Sequence, residues 1–102
     1  MHAPKSFTRI VDKKRYSVET AELVAGDDYW DGHNFERGGT NMFLYKTKKG
    51  AWFTVVLTQW EGKSDRLTPI SEDEAIRLYE SILSEHEIPY EEAFPKVTIT
   101  NA

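Results

Sequence analysis

The stretch from Asn41 to Trp60 constrains the fold more than any other part of this chain. Two β-prone runs meet there at Thr47-Lys48-Lys49-Gly50, and a short polar turn with Gly between two such runs is a hairpin signal. Side chains alternate along a strand, so Phe53, Val55 and Leu57 share one face while Trp52, Thr54, Val56, Thr58 and Trp60 share the other. The first run likewise sets Met42 and Leu44 against Phe43, Tyr45 and Thr47. Both faces are substantially apolar, so neither is left freely in water. The expected fold class is α+β: a small, mostly antiparallel sheet built on a central hairpin at about residues 41–61, with helices packed on one face and a partly covered aromatic surface on the other. Phe53, Val55 and Leu57 are expected to meet the helix that begins after Ser71, and Tyr45 and Thr54 to lie on the face of Trp52 and Trp60.

The flanking segments supply the other elements. Phe7–Val11 is β-prone, and Asp12-Lys13-Lys14-Arg15 can turn the chain back through Tyr16. Ser17 is a suitable N-cap, and Val18, Ala21, Val24 and Ala25 form an apolar stripe, which predicts a short helix at about residues 18–25 ended by a left-handed Gly26. Residues 27–40 show no sustained periodicity. Pro69 makes Arg66–Ile70 an extended edge strand or lead-in. Ser71-Glu72-Asp73-Glu74 is a capping box, followed by Ala75, Leu78, Tyr79, Ile82, Leu83 and His86 at the spacing of one helical face. The longer helix is therefore expected at about residues 72–86, with Asp73 and Arg77 able to pair at i, i+4. Tyr90–Phe94 has room for one helical turn, and Val97–Thr100 for a closing strand.

A length of 102 residues fits a single domain spanning 1–102, large enough to bury a modest core. The chain has no Cys, which excludes disulfides, thiolate nucleophiles and cysteine zinc sites, and it has no apolar run near the roughly 20 residues that cross a bilayer. A cytoplasmic protein without a membrane partner is expected. The net charge of −4 is unevenly distributed: residues 1–50 hold nine Lys or Arg against seven acids, whereas residues 51–102 hold four against ten. Eight acids lie between Glu72 and Glu92, with Arg77 the one cation among them. This balance disfavours a generally basic nucleic-acid binder.

The candidate sites follow from these patterns. Asp27, Asp28, Asp31 and His33 place three carboxylates and an imidazole within seven residues, a set able to bind a hard cation or a transition metal, although the spacing is not that of an EF-hand. No phosphate-binding glycine loop or nucleophile elbow is present, so no catalytic residue is assigned and no cofactor is expected. Tyr29, Trp30, Trp52 and Trp60 are aromatic residues of the kind enriched at interfaces, and equally common in small cores. Lys46, Lys48 and Lys49 at the hairpin tip can touch phosphates, with Lys14 and Arg15 nearby if the strands align. Lysines at such a tip ordinarily block edge pairing and keep the chain soluble.

Two longer motifs carry a family resemblance. Leu44–Phe53 followed by Thr68–Ala75, together with Lys14-Arg15-Tyr16 and Glu19-Thr20-Ala21, resembles a group of small uncharacterised bacterial proteins often carried by phages and mobile elements. The resemblance covers about a third of the chain and brings no catalytic residue with it. It implies a genomic setting in which small proteins act by binding and blocking others, host-defence nucleases among them. The expected function is accordingly that of a small non-enzymatic interaction protein, in its strongest form an inhibitor, whose acidic surface (Glu72, Asp73, Glu80, Glu85) and aromatic residues meet a basic protein partner. A second reading is a ligand- or metal-binding domain or enzyme using the acidic loop 27–40. A third is single-stranded nucleic-acid binding by the hairpin.

Overall fold

A computed structural model describes residues 7–27, 40–58, 65–81, 83 and 85–102. Within them the chain forms, in order, β1 (Thr8–Val11), β2 (Lys14–Ser17), β3 (Glu22–Gly26), β4 (Thr40–Lys46), β5 (Trp52–Thr58), β6 (Arg66–Ile70), α1 (Glu72–Glu80), β7 (Glu85–His86) and α2 (Tyr90–Ala93). The fold is α+β and mostly antiparallel. β1 and β2 make a separate two-stranded ribbon, and the other five strands form one sheet in the order β6-β5-β4-β3-β7.

The register of the β4–β5 pair decides which residues meet. The connection Thr47–Ala51 closes with Lys46 opposite Trp52, which places Tyr45 opposite Phe53 and Leu44 opposite Thr54. Directly paired residues share a face. Tyr45 therefore lies with Phe53, stacked on it at 5.2 Å between ring centroids, and not with Trp52 as the alternation of each strand taken alone suggested. A slip of one residue exchanges the faces of a strand, and only the turn geometry fixes that slip.

The two covers are also exchanged relative to the sequence expectation. Phe43, Tyr45, Phe53, Val55, Leu57 and Leu67 pack beneath the β1–β2 ribbon through Tyr16 and Val18. The helices cover the opposite face, where Leu44, Trp52, Val24 and Ala25 meet Ala75, Tyr79, Leu83, Ala93 and Phe94. Ile70 explains the choice of side. It pairs with Trp52 and packs with the helix-side cluster, and the chain enters α1 two residues later. Arg9 fastens the ribbon to the sheet edge by donating from Nη1 to the Leu67 carbonyl at 2.7 Å.

The short helix expected at residues 18–25 is replaced by a turn and β3. Two helical turns cannot sustain themselves without a packing partner, and β-branched Val24 gains more as a strand residue between β4 and β7. β3 carries a bulge: Leu23 pairs with Tyr45 and Ala25 with Leu44, leaving Val24 as the extra residue. Val24 and Ala25 are both fully buried on the helix side. Gly26 is a strand residue opposite Phe43, not a left-handed cap; a Cβ there would lie 3.0 Å from Phe43 Cδ1.

α1 begins as its capping residue requires, with the Ser71 hydroxyl accepting from Glu74 N–H at 3.2 Å. The Glu74 carboxylate binds Arg77 at i, i+3, in place of the expected Asp73–Arg77 pair and of the reciprocal half of the capping box. The helix ends at Glu80, short of the expected residue 86, because Ser81 N–H and Leu83 N–H both return to the Leu78 carbonyl. The chain is then free to pair on the edge of β3, His86 opposite Ala25 and Glu85 opposite Gly26, with Glu87 N–H donating to Val24 O at 2.9 Å. Residues 97–100 form no strand, although Val97 packs against the helix-side cluster.

Candidate functional site

Two turns from distant parts of the sequence converge on one groove. The β1–β2 connection is Asp12-Lys13, with φ of 52° and 66°, so both residues are left-handed, as a two-residue turn matched to strand twist requires. The β4–β5 connection is held by Thr47 N–H to Ala51 O at 2.8 Å, Gly50 N–H to Thr47 O at 3.0 Å and Ala51 N–H to Thr47 Oγ1 at 3.0 Å, with Gly50 at φ 88°. These bonds fix Lys48 and Lys49 at the middle of the turn. Between the two turns lies a groove of about 550 Å³ lined by Lys13, Lys14, Arg15, Tyr16, Thr20, Thr47, Lys48, Lys49 and Ala51. All five of its cations are exposed, and none is in an ion pair among the described residues. Tyr16 is the floor: it is buried, with its ring edge-on to Phe53 at 5.8 Å.

The helix layer on the other face of the sheet is acidic. Glu72, Asp73 and Glu80 of α1 are exposed, Asp73 and Glu80 on the side away from buried Ala75 and Tyr79 and Glu72 at the open N-terminal end, and Glu85, Glu87, Glu91 and Glu92 are exposed on the segment that follows. Two phenols register this field. Burial, and then the charge of Glu91, push the Tyr79 hydroxyl above its usual value, while Tyr90 is raised first by its hydrogen bond to Glu80 Oε2 at 2.7 Å, then by burial and by the Glu80 charge. Beneath this surface the aromatic packing is dense. Tyr79 stacks on His86 at 3.7 Å and meets Phe94 edge-on at 5.5 Å, and Phe94 stacks on Trp52 at 4.9 Å. Lys46 donates from Nζ to the Ala93 carbonyl at 2.9 Å, closing α2, and sits 5.3 Å from the Trp52 ring.

The residues singled out from the sequence fall into four groups. Glu72, Asp73, Glu80 and Glu85 are exposed on the helix layer. Trp52 is 2% exposed and lies under Phe94, so it belongs to the core and not to an aromatic contact surface. Tyr29, Trp30, Trp60, Asp28, Asp31 and His33 lie outside the described residues. Of the proposed metal ligands only Asp27 is described, and its Oδ1 accepts from Met42 N–H at 2.7 Å, prolonging the β3–β4 pairing. Among the described residues no group of three or more His, Asp or Glu is placed to hold a metal ion. Nor does any described helix have the length and apolar character to cross a membrane.

Lys14, Arg15, Lys48 and Lys49 were legible as basic residues, but their meeting depends on how the ribbon packs on the sheet. Thr20, Thr47 and Tyr16 as groove residues carry no sequence signal of their own. The fold thus defines a small α+β domain, one five-stranded antiparallel sheet covered by a ribbon on one side and helices on the other. Compared with protein-family models, with curated proteins and with solved structures, the chain matches none of them.

Proposed function

We propose that this chain is a small non-enzymatic interaction protein whose acidic helix layer engages a basic surface on a protein partner. The observation that supports the reading is the position of the acids. Glu72, Asp73 and Glu80 are exposed on α1, which Ala75 and Tyr79 anchor in the core, and Glu85 is exposed on β7, just after buried Leu83. Charges presented on a packed scaffold keep their spacing on binding, so little side-chain and backbone order has to be gained at the interface. In the setting that the resemblance implies, the partner is a nucleic-acid enzyme whose phosphate-binding surface the acids occupy in place of phosphates, which makes the chain an inhibitor.

The test is capture of partners from the native source by the wild-type chain and by the combined variant Glu72→Gln, Asp73→Asn, Glu80→Gln, Glu85→Gln. The reading expects a partner that is retained at low salt, released as salt screens the contact, and lost in the variant. The substitutions are at exposed positions; Glu72→Gln and Asp73→Asn cost the helix-end charge effect, about 0.3–1 kcal/mol for each acid of the first turn, and Glu80→Gln keeps an amide oxygen that can still accept from the Tyr90 hydroxyl, so thermal melting of the variant is checked beside the capture. Capture that the variant retains in full refutes the acidic-surface mechanism.

A further inference from the structure

We infer that the groove between the β1–β2 and β4–β5 turns is a binding site for a run of adjacent phosphate groups. Lys13, Lys14 and Arg15 on one wall and Lys48 and Lys49 on the other bring five positive charges to a single concavity of about 550 Å³, within the range of small-molecule sites. Both walls are turns whose backbone is committed before any ligand arrives, one closed by the pairing of Val11 with Lys14 and the other by the hydrogen bonds of Thr47, Gly50 and Ala51. A ligand therefore meets backbone positions that are already set, and the ordering cost is confined to the lysine and arginine side chains. Thr20 and Thr47 add hydroxyls to the lining.

The composition of the lining selects among anions. Among the described residues Tyr16 is the one aromatic residue of the groove, and its ring is committed to Phe53. The described lining offers no further ring on which a base can stack, so recognition there falls on phosphates and not on bases. A single carboxylate leaves most of the five cations unmatched, whereas linked phosphates can engage both walls at once. The positive ground also has a boundary. On the far side of Lys48 the neighbouring concavity is lined by Glu19, Glu22 and Glu92 together with Lys46 and Lys48, so an extended polyanion is repelled beyond Lys48 and the site favours a short run.

Adjacent phosphates occur in free polyphosphate chains and in the backbone of a single strand, and the experiment separates the two. Binding of tripolyphosphate and of a ten-residue thymidine oligonucleotide is measured by calorimetry in low salt on the wild-type chain and on Lys14→Gln, Lys48→Gln, Lys49→Gln. The expected result is binding of at least one probe that weakens tenfold or more in the triple variant. For the oligonucleotide, the logarithmic salt slope should fall by about 2 when three contacts are removed. Binding of tripolyphosphate alone assigns the site to free polyphosphates or nucleotides, and a preference for the oligonucleotide assigns it to a strand backbone. Three results overturn the inference: no binding of either probe, equal binding by the variant, or salt-sensitive self-association of the chain that the variant abolishes while neither probe binds. The last would mean that the acidic layer of a second copy fills the groove. The three lysines are exposed, so thermal melting of the variant should match that of the wild type.

Discussion

At the scale of single residues, Gly26 and Tyr79 show how little of a side chain's role is written in its type. Gly26 is needed for the space it leaves, because Phe43 lies against its backbone and a Cβ would press on the ring edge at 3.0 Å. Gly26→Ala is expected to destabilise the fold by about 1–3 kcal/mol, the range for forcing an extra carbon into a packed site, as read from urea unfolding. Gly50→Ala meets no atom within 4 Å, and its cost of about 1 kcal/mol comes from the left-handed backbone alone. Tyr79 donates to the Ile88 carbonyl at 2.7 Å, and its phenol is raised above 10.0, first by burial and then by Glu91. The folded chain thus keeps a proton that the unfolded chain surrenders near pH 10, so this contribution is complete below that pH and is lost as pH rises through the folded value. Between pH 9 and 11 the urea midpoint of the wild type should fall further than that of Tyr79→Phe. Parallel curves for the two proteins would count against the linkage.

Among the elements, short connections carry much of the specification. Ser71→Ala removes the oxygen that holds Glu74 N–H and should cost about 1 kcal/mol, measured by the same unfolding curves. Lys13 occupies a left-handed position at φ 66°, and Lys13→Gly should raise stability by up to about 1 kcal/mol, since glycine adopts that conformation without a Cβ penalty. The Ser71 cap was readable from the sequence because its partner is three residues away. The fate of residues 18–25 was not: the stripe Val18, Ala21, Val24, Ala25 fits a helix, yet Val18 and Val24 finish on opposite faces of the sheet. The end of α1 departs from the helical spacing for the same reason. Leu83 and His86 continue the helical spacing of Ala75 and Tyr79, but Leu83 is buried by a reversal at Leu78, and His86 is drawn to the edge of β3. Local periodicity reports what a segment can bury, while the edge of a sheet formed elsewhere decides how it is buried.

Over the whole molecule, one sheet separates two apolar clusters whose covers come from opposite ends of the chain. The ribbon at residues 8–17 covers Phe53, Val55 and Leu57, and the segment from Glu72 onward covers Trp52 and Leu44. The α+β class was legible from the strand and helix patterns. The sidedness was not, because both faces of β4 and β5 are apolar and the register of the Thr47–Ala51 turn decides which residues pair. The charges are separated as well, since the five cations of the groove gather between the ribbon and the β4–β5 turn while most exposed acids from Glu72 onward lie with the helices. The sidedness also makes an energetic prediction. Tyr16 and Phe94 belong to different clusters, so Tyr16→Ala and Phe94→Ala should add to within about 0.5 kcal/mol in a double-mutant cycle, each costing about 3–5 kcal/mol for a buried ring. Tyr79 and Phe94 touch at 5.5 Å within one cluster, and Tyr79→Ala with Phe94→Ala should show a coupling of about 0.5–3 kcal/mol. If the full destabilisation leaves too little folded protein, Tyr16→Phe and Phe94→Leu give the same comparison at smaller cost. Coupling across the sheet as large as coupling within the helix-side cluster would mean that the two faces behave as a single core, and that the sheet transmits packing strain from the ribbon to the helices.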